Sequence, residues 1–331
     1  MARLLLRAML PLVTGAALII GLVPAASALG TPAPSTITLT GPSTATRAQQ
    51  LTLTGTLKSG GLPVGITQLD VFRTDMDVTQ QPLPPTQTDG AGSFTVHDTP
   101  VVGGRVVYTV KYNGDLLHAA ATKSLTVTVS RYSTALTIRT DRHSYKFKGL
   151  VRVTAHLGPT FSNRQVFILA RPLGGTTRGI RADLVDANGN LTATATVKVK
   201  TFFTVKFDGD ERWKPAIAST DVGVRAKVTT AVGRVERTDG KYRVYSATKG
   251  GAVTVTVAPN KAGERVTFVL QVRRTSGWHT VDTLSRQLDA SSAYRVFFWG
   301  NPGHHYRIRG QYGGDAANLA KTGAWQYAKF V

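Results

Sequence analysis

Apolar and polar residues alternate with a period of two along much of the chain. In Ala193–Lys200 (ATATVKVK) and Arg265–Arg273 (RVTFVLQVR) nearly every second position is apolar, the pattern of a strand that buries one face and wets the other. Such runs recur at spacings of roughly ten residues, rich in Thr and Val and parted by Gly, Pro and Asn, which predicts antiparallel sheets packed as a sandwich. No stretch beyond residue 28 keeps a 3.6-residue period, so an all-β fold is expected.

The runs belong to a threefold repeat. Tyr112-Asn113-Gly114-Asp115, Phe207-Asp208-Gly209-Asp210 and Tyr312-Gly313-Gly314-Asp315 are versions of one segment, with closing aspartates 95 and 105 residues apart. A second marker keeps the register: Asp89, Asp186 and Asp289 open small-polar turns 26, 24 and 26 residues before the first. Alternating runs at Leu51–Thr54, Val151–Thr154 and Val253–Thr256 precede those turns. A period of about 100 residues is a domain length. It predicts domains over 29–130, 131–228 and 229–331, each large enough to bury its own core.

The ending Tyr108-Thr109-Val110-Lys111-Tyr112-Asn113-Gly114-Asp115, with Leu125–Val129 as a final strand, resembles the bacterial immunoglobulin-like repeats of exported and cell-surface proteins, especially actinobacterial ones. The second copy puts Phe203, Val205 and Phe207 at the inward positions; the third has Ile308, Gly310 and Tyr312, which predicts a bulge at the glycine. The resemblance implies three tandem immunoglobulin-like β-sandwiches serving as spacers, adhesive modules or binding domains, without catalysis. Fold alone does not supply function.

The segment ahead of the repeats reads as a signal peptide over 1–28. Arg3 and Arg7 precede an apolar stretch from Ala8 to Val23, and Pro24-Ala25-Ala26-Ser27-Ala28 ends in a small-x-small cleavage pattern. Pro11, Gly15 and Gly21 interrupt the apolar stretch, which falls short of the ~20 residues of a spanning helix. A mature chain over 29–331, with no transmembrane segment, is expected outside the cell or loosely held at the wall.

Little catalytic chemistry is visible. The 331 residues contain no cysteine, which excludes disulfides, thiol nucleophiles and thiolate metal sites. There is no nucleophile elbow, zinc-protease helix or phosphate-cradling loop. The seven histidines are scattered, with only His304 and His305 adjacent. Asp186-Ala187-Asn188-Gly189-Asn190 has its glycine at the fourth place, not the sixth, and no glutamate follows, so it reads as a hairpin turn and not a calcium loop. The aspartate of the Tyr/Phe-x-Gly-Asp segment is expected to cap backbone amides of its own turn. No catalytic residue, cofactor site or metal site is nominated, and no enzyme activity is expected; an extracellular hydrolase is the minor alternative.

Charge is the feature above background. The chain carries 40 Lys and Arg against 19 Asp and Glu, a net +21. Residues 29–130 hold six bases and six acids, residues 131–228 hold 17 and 7 (+10), and residues 229–331 hold 15 and 6 (+9). Strand parity turns Lys206, Arg225 and Lys227 outward in the second copy, and Arg265, Arg273, Arg307 and Arg309 outward in the third. The other sheet of the second copy would show Arg152, Lys198 and Lys200. Basic surfaces of this density attract polyanions with salt-dependent affinity, and arginine forks match phosphate and sulfate oxygens. All four tryptophans lie in the basic copies. Trp213 and Trp278 are candidates to stack on sugars or bases, Trp299 is expected in the core, and Trp325 is undecided.

Two readings stay open. In the first, the second and third copies bind an anionic envelope polymer or glycan. In the second, the chain is a spacer or a protein–protein adhesin with incidental charge, and its partner is another surface protein.

Overall fold

The computed structural model describes residues 30–161 and 164–331; the expected signal peptide lies outside the described residues. These residues form strands and turns and no helix, so none that could cross a membrane. Three separate apolar cores form, from Ile37 to Val129, Leu136 to Val224 and Ala226 to Phe330. Each lies between two sheets, as strands that bury one face require.

In unit one, Leu51–Ser59 pairs with Ser35–Thr40 and Ser93–Asp98. The facing sheet runs Thr44–Ala45, Ala121–Val129, Gly104–Tyr112, Gln68–Thr74, Gln81–Gln87. Unit two repeats this with Thr137–Thr140, Gly149–His156 and Asn190–Val197 opposite Ser144–Lys146, Ala216–Arg225, Thr201–Phe207, Gln165–Pro172 and Arg178–Leu184. In unit three, Lys227–Gly233, Gly251–Ala258 and Ala293–Phe298 face Tyr242–Tyr245, Gln326–Phe330, His305–Gly314, Arg265–Arg274 and Gly277–Gln287. The period-two pattern decides each face: Leu51, Leu53 and Leu57 are buried, while Thr52, Thr54 and Lys58 are exposed. Full burial of such a side chain is worth about 1.5–3 kcal/mol.

Three details differ from the sequence reading. The strand around Gly310 does not bulge; Ile308, Gly310 and Tyr312 pair in unbroken register with Leu270, Phe268 and Val266. The glycine is needed across the core instead, because a Cβ there would sit 2.5 Å from a Val255 methyl. Lys227 does not close unit two. The strand ends at Arg225, and Lys227 opens the first strand of unit three by pairing with Ala258. Lys198 and Lys200 are not outward residues of a strand, since Asn190–Val197 ends before them and they form the turn into Thr201–Phe207.

Two aspartate turns recur in every unit. Asp89 Oδ1 accepts the amides of Ala91 and Ser93, Asp186 Oδ1 those of Asn188 and Asn190, and Asp289 Oδ1 those of Ser291 and Ala293. After the Tyr/Phe-x-Gly-Asp segment, Asp115, Asp210 and Asp315 each accept the amides two and three residues on. The preceding Gly114, Gly209 and Gly314 have φ of 80°, 85° and 88°, and a Cβ on any of them would meet backbone atoms within 3 Å. Only glycine meets both conditions.

These second loops join the units. The loop 210–213 of unit two lies on unit one: Arg212 pairs with Asp77 at 2.5 Å and the Glu211 carbonyl abuts Gly104, while Arg131, at the start of unit two, holds the loop by donating to the Asp210 carbonyl at 3.0 Å. The loop 315–318 of unit three lies on unit two: Lys200 N donates to the Ala317 carbonyl at 2.7 Å, and Asn318 Nδ2 to the carbonyls of Lys198 and Val224. A parallel bridge from Arg225 to Leu319 makes the large sheets of units two and three one hydrogen-bonded sheet.

Candidate polyanion-binding surface

The outer face of unit three's large sheet is built from strand parity. In His305–Gly314, Tyr306, Ile308 and Tyr312 turn inward, which leaves His305, Arg307, Arg309 and Gln311 on the other side. Arg265–Arg274 buries Val266, Phe268 and Val272 and presents Arg265 and Arg273 outward. Cross-strand register then sets neighbours side by side: Gln271 opposite Arg307, Arg307 opposite Tyr327, and Arg273 opposite Trp278.

Cations and aromatic rings interleave there. The Arg307 guanidinium carbon lies 4.6 Å from the Trp278 ring centre and 4.2 Å from that of Trp325, and Arg309 lies 4.1 Å from Trp325. Arg273 approaches Trp278 at 5.8 Å, and Lys241 Nζ stands 4.7 Å over Tyr327. Each such contact contributes about 0.5–2 kcal/mol according to its desolvation. Gln271 Oε1 accepts from Arg307 Nε at 2.7 Å, which fixes the fork's orientation. Among the described residues, no salt bridge engages Arg273, Arg307 or Arg309. Burial lowers the pKa of Arg309, and the neighbouring Arg307 charge lowers it further. Among the described residues, two neighbouring guanidinium groups thus share this partly buried ledge with no carboxylate within salt-bridge distance.

The other sequence candidates are dispersed. Arg265 is exposed on the same face but eight residues along the strand from Arg273, about 26 Å at strand rise. Lys206 is paired with Asp208 at 2.6 Å, and Lys200 with Asp221 at 3.2 Å. Arg225 donates to Ser144 at 3.0 Å. Arg152 is exposed on the opposite sheet of unit two, and Lys198 gives its carbonyl to the junction. On the expected common face of unit two, Lys206 is paired with Asp208, Arg225 donates to Ser144 and Lys227 belongs to unit three, so the cluster of arginines without a salt bridge among the described residues lies in unit three.

The tryptophans also depart from expectation. Trp213 is no exposed stacking platform: its ring lies 5.1 Å from that of Tyr132 in the junction and packs on the unit-two core. Trp278 has Arg307 over its ring and Tyr327 5.8 Å away, so it serves as a bed for arginine. Trp299 is not core but 54% exposed; Val296 and Phe298 point inward, and parity sends Trp299 out with Phe297. Sequence reasoning missed Gln271, Lys241 and Tyr327. The alternation in Gln326–Phe330 places Tyr327 outward, but nothing local names its neighbours.

No protein-family model matches the chain, and no curated protein matches it. Among solved structures, the chain is similar to a tetra-tandem repeat in the extending region of a large adhesion protein, at TM-score 0.53 and 15% identity over 90% of this chain and 74% of that one. Matches to the alpha-2-macroglobulins of Salmonella and E. coli reach a TM-score of only 0.25, at 12% and 11% identity, over 24% and 22% of those chains. The first likeness is one of fold: a tandem all-β repeat.

Proposed function

We propose that this chain is an exported, non-catalytic repeat module whose third unit docks an anionic polymer through Arg273, Arg307 and Arg309. The observation that carries this reading is the ladder of three arginines bedded on Trp278 and Trp325 without a carboxylate partner. Phosphate or sulfate oxygens fit the guanidinium forks, and the flat, fixed bed lowers the ordering entropy lost on binding. Units one and two act as the stem. Their role is supported by the fold shared with the extending repeats of an adhesion protein.

Retention on a heparin matrix, measured against salt, tests the reading. Retention is expected to fall linearly in log–log form. The triple variant Arg273→Ala, Arg307→Ala, Arg309→Ala should elute at much lower salt, while the control Arg152→Ala, Lys206→Ala should not move. Retention that ignores salt, or a triple variant that elutes with the wild type, overturns it and leaves the spacer reading, which the intimate unit junctions favour.

A further inference from the structure

Each junction inside the chain joins two halves: the aspartate loop of one unit and the turn preceding the equivalent of Thr201–Phe207 in the unit before it. Among the described residues, one copy of each half is uncovered. In unit one the loop Asp115–His118 has the same cap as its counterparts, but no described residue of another unit covers it. Leu116 and Leu117 are 77% and 71% exposed, where the counterpart Arg212 pairs with Asp77 and Ala317 accepts Lys200 N. Leu62 is exposed at the same pole, which Ala33 ties together by accepting Ser59 Oγ and donating to the Leu117 carbonyl. At the far end, no described residue of another unit packs on the unit-three turn 299–304. It borders a groove of about 980 Å³ lined by Leu270, Val272, Arg274, Val281, Trp299 and Pro302.

We infer that these two poles dock on each other between copies of the chain, head to tail, with Leu116 and Leu117 of one copy in the Trp299 groove of the next. The contact continues the pattern of the two internal junctions: the same loop against the same turn, one unit later. Charge disfavours the tail-to-tail alternative. Unit one is neutral by composition and unit three carries +9, so tail-to-tail contact would bring two basic units together, whereas head-to-tail contact does not. The loop 115–118 also brings an exposed carboxylate, Asp115, toward the groove bordered by Arg274. Such an interface is heterologous, so it extends into open chains unless its rotation closes a ring. The inference does not rest on polymer binding.

Sedimentation of the secreted protein from micromolar to near-millimolar concentration tests it. The weight-average mass is expected to rise past the dimer. A head-blocked variant (Leu116→Asp, Leu117→Asp) and a tail-blocked variant (Trp299→Asp) should each stay monomeric, and their mixture should form dimers and stop there. A monomer at every concentration, or a head-blocked variant that assembles like the wild type, overturns the inference. Because the chain has no cysteine, a second measurement is free of background: Leu116→Cys mixed with Trp299→Cys should cross-link mainly as the mixed disulfide. Predominant Leu116→Cys homodimers would show a symmetric contact and overturn it equally.

Discussion

Arg307 lies between two indoles, 4.2 Å from the Trp325 ring centre and 4.6 Å from that of Trp278. These rings come from opposite sides of the strand, Trp278 from the Gly277–Gln287 hairpin and Trp325 from the approach to the last strand. The guanidinium plane is set by rings on both flanks and by Gln271 at Nε. Local sequence around Arg307 supplies none of these partners.

Trp325→Ala should therefore weaken polymer binding although no charge is lost. Removing one ring costs about 1 kcal/mol of positioning, roughly fivefold in affinity. Trp325→Phe should recover part of it. Salt-gradient elution from heparin, with melting temperature as the fold control, reads both; equal elution of wild type and Trp325→Ala would exclude a role for the ring.

The pair Lys261–Asp315, at 2.5 Å, predicts an acid response. Burial would raise the Asp315 carboxyl, but the Lys261 ammonium and the Asn318 amide hold it below its ordinary 3.8. A carboxyl depressed in the folded state stabilises at pH above its unfolded value, and that contribution fades as pH falls below about 4. Asp315→Asn should destabilise on the order of 3 kcal/mol at neutral pH, since Lys261 is left buried without its partner. The gap between wild type and variant, measured by urea midpoint, should close toward pH 2; a gap independent of pH would contradict the assignment.

Gly310→Ala should destabilise by about 1–3 kcal/mol through overpacking against Val255. Adding Val255→Ala should recover a share of the loss, so that the double variant is more stable than the sum of the singles requires. Chemical denaturation of the four proteins gives the coupling, and strict additivity would disprove the contact.

Ser292 sits at φ 63°, where glycine is normally favoured. Ser292→Gly should nevertheless be destabilising. Relief of the left-handed backbone returns about 1–2 kcal/mol, but the buried Ser292 hydroxyl donates to the Val257 carbonyl at 2.7 Å and accepts the Lys261 amide at 2.8 Å. Leaving two buried groups unpartnered costs about 1–3 kcal/mol each. A melting temperature above wild type would reverse this balance.

The all-β class, the strand faces and both aspartate turns were legible because they depend on near neighbours: alternate residues along a strand, or an aspartate and the amides two to four residues beyond it. The arginine ladder was half legible. Parity identified Arg273, Arg307 and Arg309 as outward, but the bed under them joins Gln271 to Arg307 and Trp278 to Tyr327, pairs set by cross-strand register. The junctions were not legible. Trp213 meets Tyr132, and Asp77 meets Arg212 across 135 residues, so no window on the chain holds both halves of the contact. Trp299 was misplaced for a simpler reason: its apolar neighbours suggested burial, whereas alternation already sent it outward.

The aspartate loops that end one unit also grip its predecessor, so thermal melting is not the sum of three independent transitions. Loss of unit two frees Asp77 and Gly104 of unit one on one side and Ala317, Asn318 and Leu319 of unit three on the other. Both neighbours then lose their shared boundary at once, which makes the middle unit the one whose failure spreads in both directions.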